Sequence, residues 1–305
     1  MWDKDELTRR RLLLAVRVAV SAGAIAWVAT RVDPADALGA FRRAPAWVFA
    51  VPPVLMLANS TLHALRLKLL LEALDARIPL RKALAALLKA SFLGLVLPSG
   101  GSDVAKAGFL GEEAGLDKAA VALTASRLQD LLPWAGLLLY GLGWGLLDYD
   151  PALALAAAVF ATAFLLIPAA AWFLAARPIR APFRWLEGPV DAVRTLRTKR
   201  RTLALTAALA IPFAFVNAGC AWIVIEAHGV DMALADALAL IPAADTLISL
   251  PITISGVGVR EGVFVRVLGP YGALEATAVA IGLTRWLGEL ARAAIGGLLF
   301  VAGRG

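Results

Sequence analysis

Several short stretches of this chain have the residue types for anion chemistry rather than for covalent catalysis. Leu97-Pro98-Ser99-Gly100-Gly101-Ser102-Asp103-Val104-Ala105-Lys106 interrupts a long apolar run with a proline, glycines, an acid and a base. It reads as a turn followed by a helix start, with Ser102 or Asp103 as the N-cap. The free N–H groups and dipole at such a start favour an anion such as a phosphate, and Lys106, one turn in, adds positive charge. A second interruption, Pro251 to Glu261, offers Ser255, Gly256, Gly258 and Arg260 in the same way, with Glu261 beside them. A second reading also stands, in which the glycines only permit a tight reversal and Asp103 only caps a helix.

Charges recur inside apolar segments. Arg127 is followed by Asp130 and Arg285 by Glu289, so each pair shares a helix face. A charge inside a membrane span costs about 2.5–3.5 kcal/mol on insertion scales. These residues therefore either line a polar cavity or lipid-headgroup site, or tie helices together as structural ion pairs. Asn59 and Asn217 suit interhelical hydrogen bonds. His63 and Arg66 are placed against protein or the cytoplasmic interface, and Cys220 in packing. Asp148-Tyr149-Asp150 has the spacing of a metal-binding acid pair. It sits on a tight turn before Pro151 with no nucleotide-binding segment around it, so no enzymatic role is assigned to it. No Ser/His/Asp triad, P-loop or HExxH site is present, and neither a cofactor nor a metal is expected.

The elements that must carry these residues are membrane helices. The 305 residues are 60% hydrophobic and 17% charged, with a mean hydropathy of +0.77. Globular domains carry about 25% charged residues, so the composition is that of an integral membrane protein. The net charge of +7 does not indicate nucleic acid, because the bases cluster between apolar spans in the positive-inside pattern. One cysteine and two histidines exclude a disulfide framework and a Cys- or His-built metal site.

Spans are predicted at about 12–30, 47–71, 117–147, 151–176, 203–227 and 273–301. Short apolar segments precede the two interruptions and give re-entrant elements at 83–115 and 237–270. Arg31 to Ala46 reads as a loop. The segment from Arg177 to Arg201 holds eight bases and reads as a cytoplasmic loop, which puts both termini in the cytoplasm.

The two halves are related. Glu72-Ala73 with Leu80, Ala83, Leu84 and Ala85 matches Glu226-Ala227 with Leu234, Ala237, Leu238 and Ala239 at an offset of 154. Ser99-Gly100 then matches Ser255-Gly256 at 156, and Arg127 matches Arg285 at 158. This is the signature of an internal duplication. Three complete spans per half is an odd number, so the second copy must be inverted. The expected fold is an all-α polytopic membrane protein of two inverted repeats, 1–150 and 151–305. Each has three transmembrane helices and a re-entrant broken helix, as in secondary transporters.

The span ending His63-x-x-Arg66, the Leu97 to Asp103 turn, Arg127, and Ser255-Gly256-Val257-Gly258-Val259-Arg260-Glu261-Gly262 together resemble the lysylphosphatidylglycerol synthase transmembrane (flippase-like) family. The resemblance covers nearly the whole chain. It implies a bacterial inner-membrane protein that moves a phosphate-bearing lipid between leaflets: anionic, aminoacylated or polyprenyl-phosphate. The implied translocation residues are Asp103, Arg127, Gly256, Gly258, Arg260, Glu261 and Arg285. With the residues read above, the candidate site comprises Ser99, Gly100, Gly101, Asp103, Lys106, Arg127, Asp130, Ser255, Gly256, Gly258, Arg260, Glu261, Arg285 and Glu289.

No aminoacyl-transferase domain accompanies the spans, so lysine transfer is not expected. Lys106 stands near the place of an arginine, which gives up bidentate phosphate recognition. An enzyme or accessory subunit of hopanoid or polyprenyl-linked lipid biosynthesis is the alternative, and a non-transporting scaffold is a third reading. Membrane lipids are the expected partners, with lipid-biosynthesis enzymes beside them. Gly/Ala-rich faces suit packing within one chain and between two copies alike.

Overall fold

The computed structural model describes residues 26, 30, 32–96, 101–177, 184–249 and 259–302. Apart from Ala26 and Thr30, the first predicted span lies outside these residues, as do Ser99, Gly100, Ser255, Gly256 and Gly258. Among the described residues every regular element is helical. In chain order they are α1 (Pro34–Arg43), a 3₁₀ turn (Ala46–Ala50), α2 (Val51–Ala73), α3 (Leu80–Val96), α4 (Gly101–Ala114), α5 (Leu116–Trp144), α6 (Leu146–Tyr149) and α7 (Pro151–Ala175). Then follow α8 (Arg184–Leu196), α9 (Arg200–Ala208), α10 (Ala210–Ala227), α11 (Leu234–Ile248), α12 (Val259–Leu268), a 3₁₀ turn (Gly269–Tyr271) and α13 (Glu275–Ala302).

Local chemistry sets several of these ends. The Asp33 carboxylate accepts from the Ala35 amide at 2.8 Å and Pro34 opens α1, while Arg42 and Arg43 occupy its last turn, where the dipole favours cations. Asp150 caps α7 through the Ala152 and Leu153 amides at 3.0 and 3.1 Å, with Pro151 at the first helical position.

Among the described residues three stretches are long and apolar enough to cross a membrane: Ala46–Ala73, Pro151–Ala175 and Arg200–Ala227. They match three of the predicted spans to within a few residues. The long helices α5 and α13, at 29 and 28 residues, would reach about 43 Å at 1.5 Å per residue. Their inward charges keep them out of the purely apolar class. The short α3, α4, α11 and α12 flank the two predicted breaks.

Two segments read as loops are helices. The segment Arg31 to Ala46 contains α1, which packs on α13, and the basic segment 177–201 contains α8, which packs on α5 and α7. Both are amphipathic, and a loop rich in bases hides that period until its few apolar residues find a partner. In α8 these are Val190, Ala192 and Leu196, all buried.

The halves interlock. Helix α13 packs along α2 and α3, while α5 packs along α10 and α11. The contacts of α13 with α2 and α3, and of α5 with α11, each involve a glycine of the long helix. A Cβ at Gly141 of α5 would meet the Ala239 carbonyl of α11 at 2.6 Å, and one at Gly296 of α13 would collide with the Leu88 carbonyl of α3. No other residue type allows backbones so close.

Two apolar cores result. One joins Leu138, Leu153, Ile225, Leu240 and Phe264, and the other joins Leu67, Leu71, Leu87, Leu110, Ala122 and Leu196. Along α5 the order is core, polar cavity, core.

Candidate functional site

A cavity of about 840 Å³ separates the two cores and is lined from both halves of the chain. Its charged lining comprises Lys106, Arg127, Asp130, Asp245, Arg260, Glu289 and Arg292, with His63, Trp134, Asn217 and Trp286 among the others. Seven of the predicted site residues fall in or directly behind this wall: Asp103, Lys106, Arg127, Asp130, Arg260, Arg285 and Glu289. Gly101 begins α4, and Glu261 is buried in the first turn of α12.

The charges pair differently from the expectation. Arg127 does not bond Asp130. It donates to Asp103 at 2.6 Å, and Lys106 donates to the same oxygen at 2.8 Å. Asp103 lies inside the first turn of α4 rather than ahead of it, and its carboxylate serves these two cations. The side chains of Arg127 and Asp103 are 56% and 54% exposed, so this triad is open. With two cations on one carboxylate, it carries an excess of one positive charge.

Arg285 likewise does not bond Glu289. It makes a bidentate pair with Asp245, both N–O distances 2.9 Å, and the Asn217 amide donates to the same carboxylate at 2.8 Å. The two side chains are 12% and 15% exposed. The Arg285 guanidinium also lies 5.2 Å from the Phe264 ring centroid. Glu289 instead pairs with Arg292 one turn further along α13. The buried Nε of Arg292 has no hydrogen-bond partner among the described residues.

Asp130 belongs to a third cluster. Its partner is Arg66, which is fully buried and also donates to the carbonyls of Thr206 at 3.0 Å and Ser126 at 3.1 Å. Gln129 completes the cluster by donating to Thr206 Oγ1 at 2.9 Å. Of the two places the sequence allows for Arg66, against protein or at the cytoplasmic interface, the structure shows the first. Arg66 is a buried tie between α2, α5 and α9.

Asp245 was missed. It is the sole charge between Ala237 and Ile254, and an acid inside such a run is itself the signal. Asn59 and Asn217 bond across helices as expected, Asn59 to the Phe213 carbonyl at 3.2 Å. Cys220 is buried in packing.

The Asp148-Tyr149-Asp150 turn lies away from the cavity and does structural work. Asp150 pairs with Arg266 of α12, and Tyr149 donates to the Val267 carbonyl. Burial pushes the Asp150 carboxyl up, but the Arg266 hydrogen bond and the helix amides pull it below the usual carboxylate range. Burial and the Asp150 and Asp236 carboxylates push the Tyr149 phenol up to about 12. Among the described residues no group of acids, histidines or cysteines could hold a metal.

The family profile described as the lysylphosphatidylglycerol synthase TM region matches residues 14–288. Neither a curated protein nor a solved structure matches the chain. The chain belongs to the lysylphosphatidylglycerol synthase transmembrane family and is a membrane protein of lipid-related processes.

Proposed function

We propose that this member of the family moves a phosphate-bearing lipid between the leaflets of the bacterial inner membrane, without chemistry on the lipid. The observation that carries this reading is the open triad of Asp103, Lys106 and Arg127 beside a cavity of about 840 Å³. A phosphodiester entering there meets an unneutralised positive charge. The planar guanidinium of Arg127 matches phosphate oxygens two at a time, while Lys106 acts as a point charge. Arg292 Nε is a further buried donor, without a partner among the described residues. A headgroup could cross inside this cavity while its chains stay in lipid. Sharing one carboxylate between two cations keeps a donor engaged when the cavity is empty and lets the phosphate leave again.

In this reading 1–150 and 151–305 are inverted repeats, the helix pairs α3–α4 and α11–α12 are re-entrant elements, and both termini are cytoplasmic. Support comes from the offset of 154–158, from the reciprocal packing of α13 on α3 and α5 on α11, and from a glycine at each of these two contacts, Gly296 and Gly141. Lipid-biosynthesis enzymes and a second copy of the chain are the proposed partners. The runner-up, an accessory subunit or enzyme of lipid biosynthesis, shares the family and the cavity.

The test is transbilayer movement of labelled anionic, aminoacylated and prenyl-phosphate lipids in liposomes holding only this protein. The variants are Lys106→Gln and Arg127→Gln. Movement that both variants slow by about tenfold or more supports the reading. Folded protein that moves none of these lipids overturns it in favour of the accessory role.

A further inference from the structure

A second, smaller cavity of about 270 Å³ lies where the end of α7, the end of α8 and the start of α9 converge. It is lined by Trp172, Ala176, Val193, Arg197, Thr198 and Arg200. None of these residues belongs to the central cavity.

Helix α8 is fastened here by arginines. Arg194 donates to the Arg177 carbonyl at 3.1 Å and the Leu174 carbonyl at 3.4 Å, and Arg197 donates to the Ala175 carbonyl at 3.0 Å. These carbonyls lie at and just beyond the end of α7, where the dipole favours cations; that of Leu174 also accepts the Arg177 amide at 3.2 Å. Arg197 uses a single nitrogen in this bond, so the rest of its fork is available to the cavity. Arg200 makes no ion pair among the described residues. Of the acids in 177–201, Asp191 is engaged with Arg194 at 3.4 Å, and Glu187 lies near the start of α8, away from the cavity. Eight bases thus face two acids in this segment.

The apolar side of the cavity fits one class of ligand. Trp172 is 55% exposed, beside Phe173 at 53%, and the Arg177 guanidinium stacks 3.9 Å from the Phe173 ring centroid. Tryptophan at the end of a membrane helix marks the level of the headgroups. A base-rich end of that helix attracts anionic lipid at the membrane surface. A soluble anion would use the arginines and leave the aromatic wall idle.

We infer that this cavity binds the phosphate of an anionic phospholipid, held by Arg197, Thr198 and Arg200, with an acyl chain running along Trp172. It would be a fixed lipid site that seats the α7–α8 corner in one leaflet, and it stands whether or not the central cavity moves lipid.

The test is native mass spectrometry of the detergent-purified full chain, incubated with equal amounts of phosphatidylglycerol and phosphatidylcholine. One phosphatidylglycerol is expected to survive in preference to phosphatidylcholine. Arg200→Gln should weaken that adduct by about tenfold, as for loss of one charge-assisted hydrogen bond, and Thr198→Ala should weaken it less. These positions spare the Arg194 and Arg197 ties, so both variants should stay folded. The double variant Lys199→Gln/Arg201→Gln removes more charge outside the lining and should keep the adduct, as should Arg127→Gln. Equal loss in the Lys199/Arg201 variant means diffuse attraction and overturns the site. Phosphatidylcholine bound as well as phosphatidylglycerol overturns it too. So does complete displacement by inorganic phosphate at the same concentration as the lipid, which would make this a soluble-anion site.

Discussion

Arg127 and Arg285 sit on two long helices, α5 and α13, 158 residues apart, and they live in different surroundings. Arg285 is held bidentate by Asp245 on α11, the helix before its half's break, with Asn217 bracing the carboxylate. Arg127 bonds Asp103 on α4, the helix after its half's break, through one nitrogen, and shares that acid with Lys106. One pair is closed and balanced, while the other is open with a surplus cation. The second half's arginine holds helices together, and the first half's arginine faces whatever enters the cavity.

The comparison breaks most sharply on the closed side. Arg285→Ala strands the Asp245 carboxylate in a nearly dry site and should cost about 3–5 kcal/mol. Thermal unfolding in detergent reads this directly. Replacing both partners, as in Arg285→Leu/Asp245→Leu, should recover most of that loss, because two apolar side chains need no counter-charge. If the single variant unfolds at the parent temperature, the pair is not a structural tie.

A smaller effect tests whether the halves are equivalent in packing although they differ in charge. Gly141→Ala and Gly296→Ala each drive a methyl into a carbonyl of the opposite half. Each should cost about 1–3 kcal/mol, the usual range for overpacking. Similar losses in the same unfolding assay would fit a duplicated interface. A large loss at one position and none at the other would sever the correspondence.

On the open side stability should barely move. Arg127 and Asp103 are more than half exposed, so Arg127→Gln should change stability by less than about 1 kcal/mol. Lipid movement should fall by about tenfold, which corresponds to 1.4 kcal/mol of lost headgroup attraction. Loss of stability with retained movement would reverse the roles of the two arginines.

How much of this was legible depends on the range of each interaction. The spans at Ala46–Ala73, Pro151–Ala175 and Arg200–Ala227 could be read because the membrane dictates length and apolarity locally. The cluster of Asp103, Lys106 and Arg127 could be read as a set because a charge in an apolar run is conspicuous. Its pairing could not. Helical spacing puts Asp130 near Arg127, but Asp130 answers to Arg66, 64 residues earlier, and tertiary distance overrides sequence distance. Asp245 was passed over although it stands alone in its run. The helices α1 and α8 lie in segments read as loops because their buried apolar residues are few, Ala37 and Ala40 in α1 and Val190, Ala192 and Leu196 in α8, and only the partner helix shows what they bury.

The smallest effect lies outside the cavity, where Asp150 joins the end of the first half to α12. Its carboxyl is held below the usual range in the folded chain. A depressed acid contributes stability above its unfolded value, about 3.9, and loses it as pH falls through the lower folded value. Arg266 is 67% exposed, so water screens the pair, and the ionic part should stay below about 1 kcal/mol. Asp150→Asn keeps a capping oxygen for Ala152 and Leu153 and removes only that part. The variant should therefore unfold slightly earlier than the parent at pH 7, and the gap should narrow as the pH drops below 4. Asp150→Ala should lose about 1 kcal/mol more at every pH, because the cap goes with the charge. A gap between parent and Asp150→Asn that widened toward acid would mean that the carboxyl is held up rather than down, and the tie between the halves at this end would have to be uncharged.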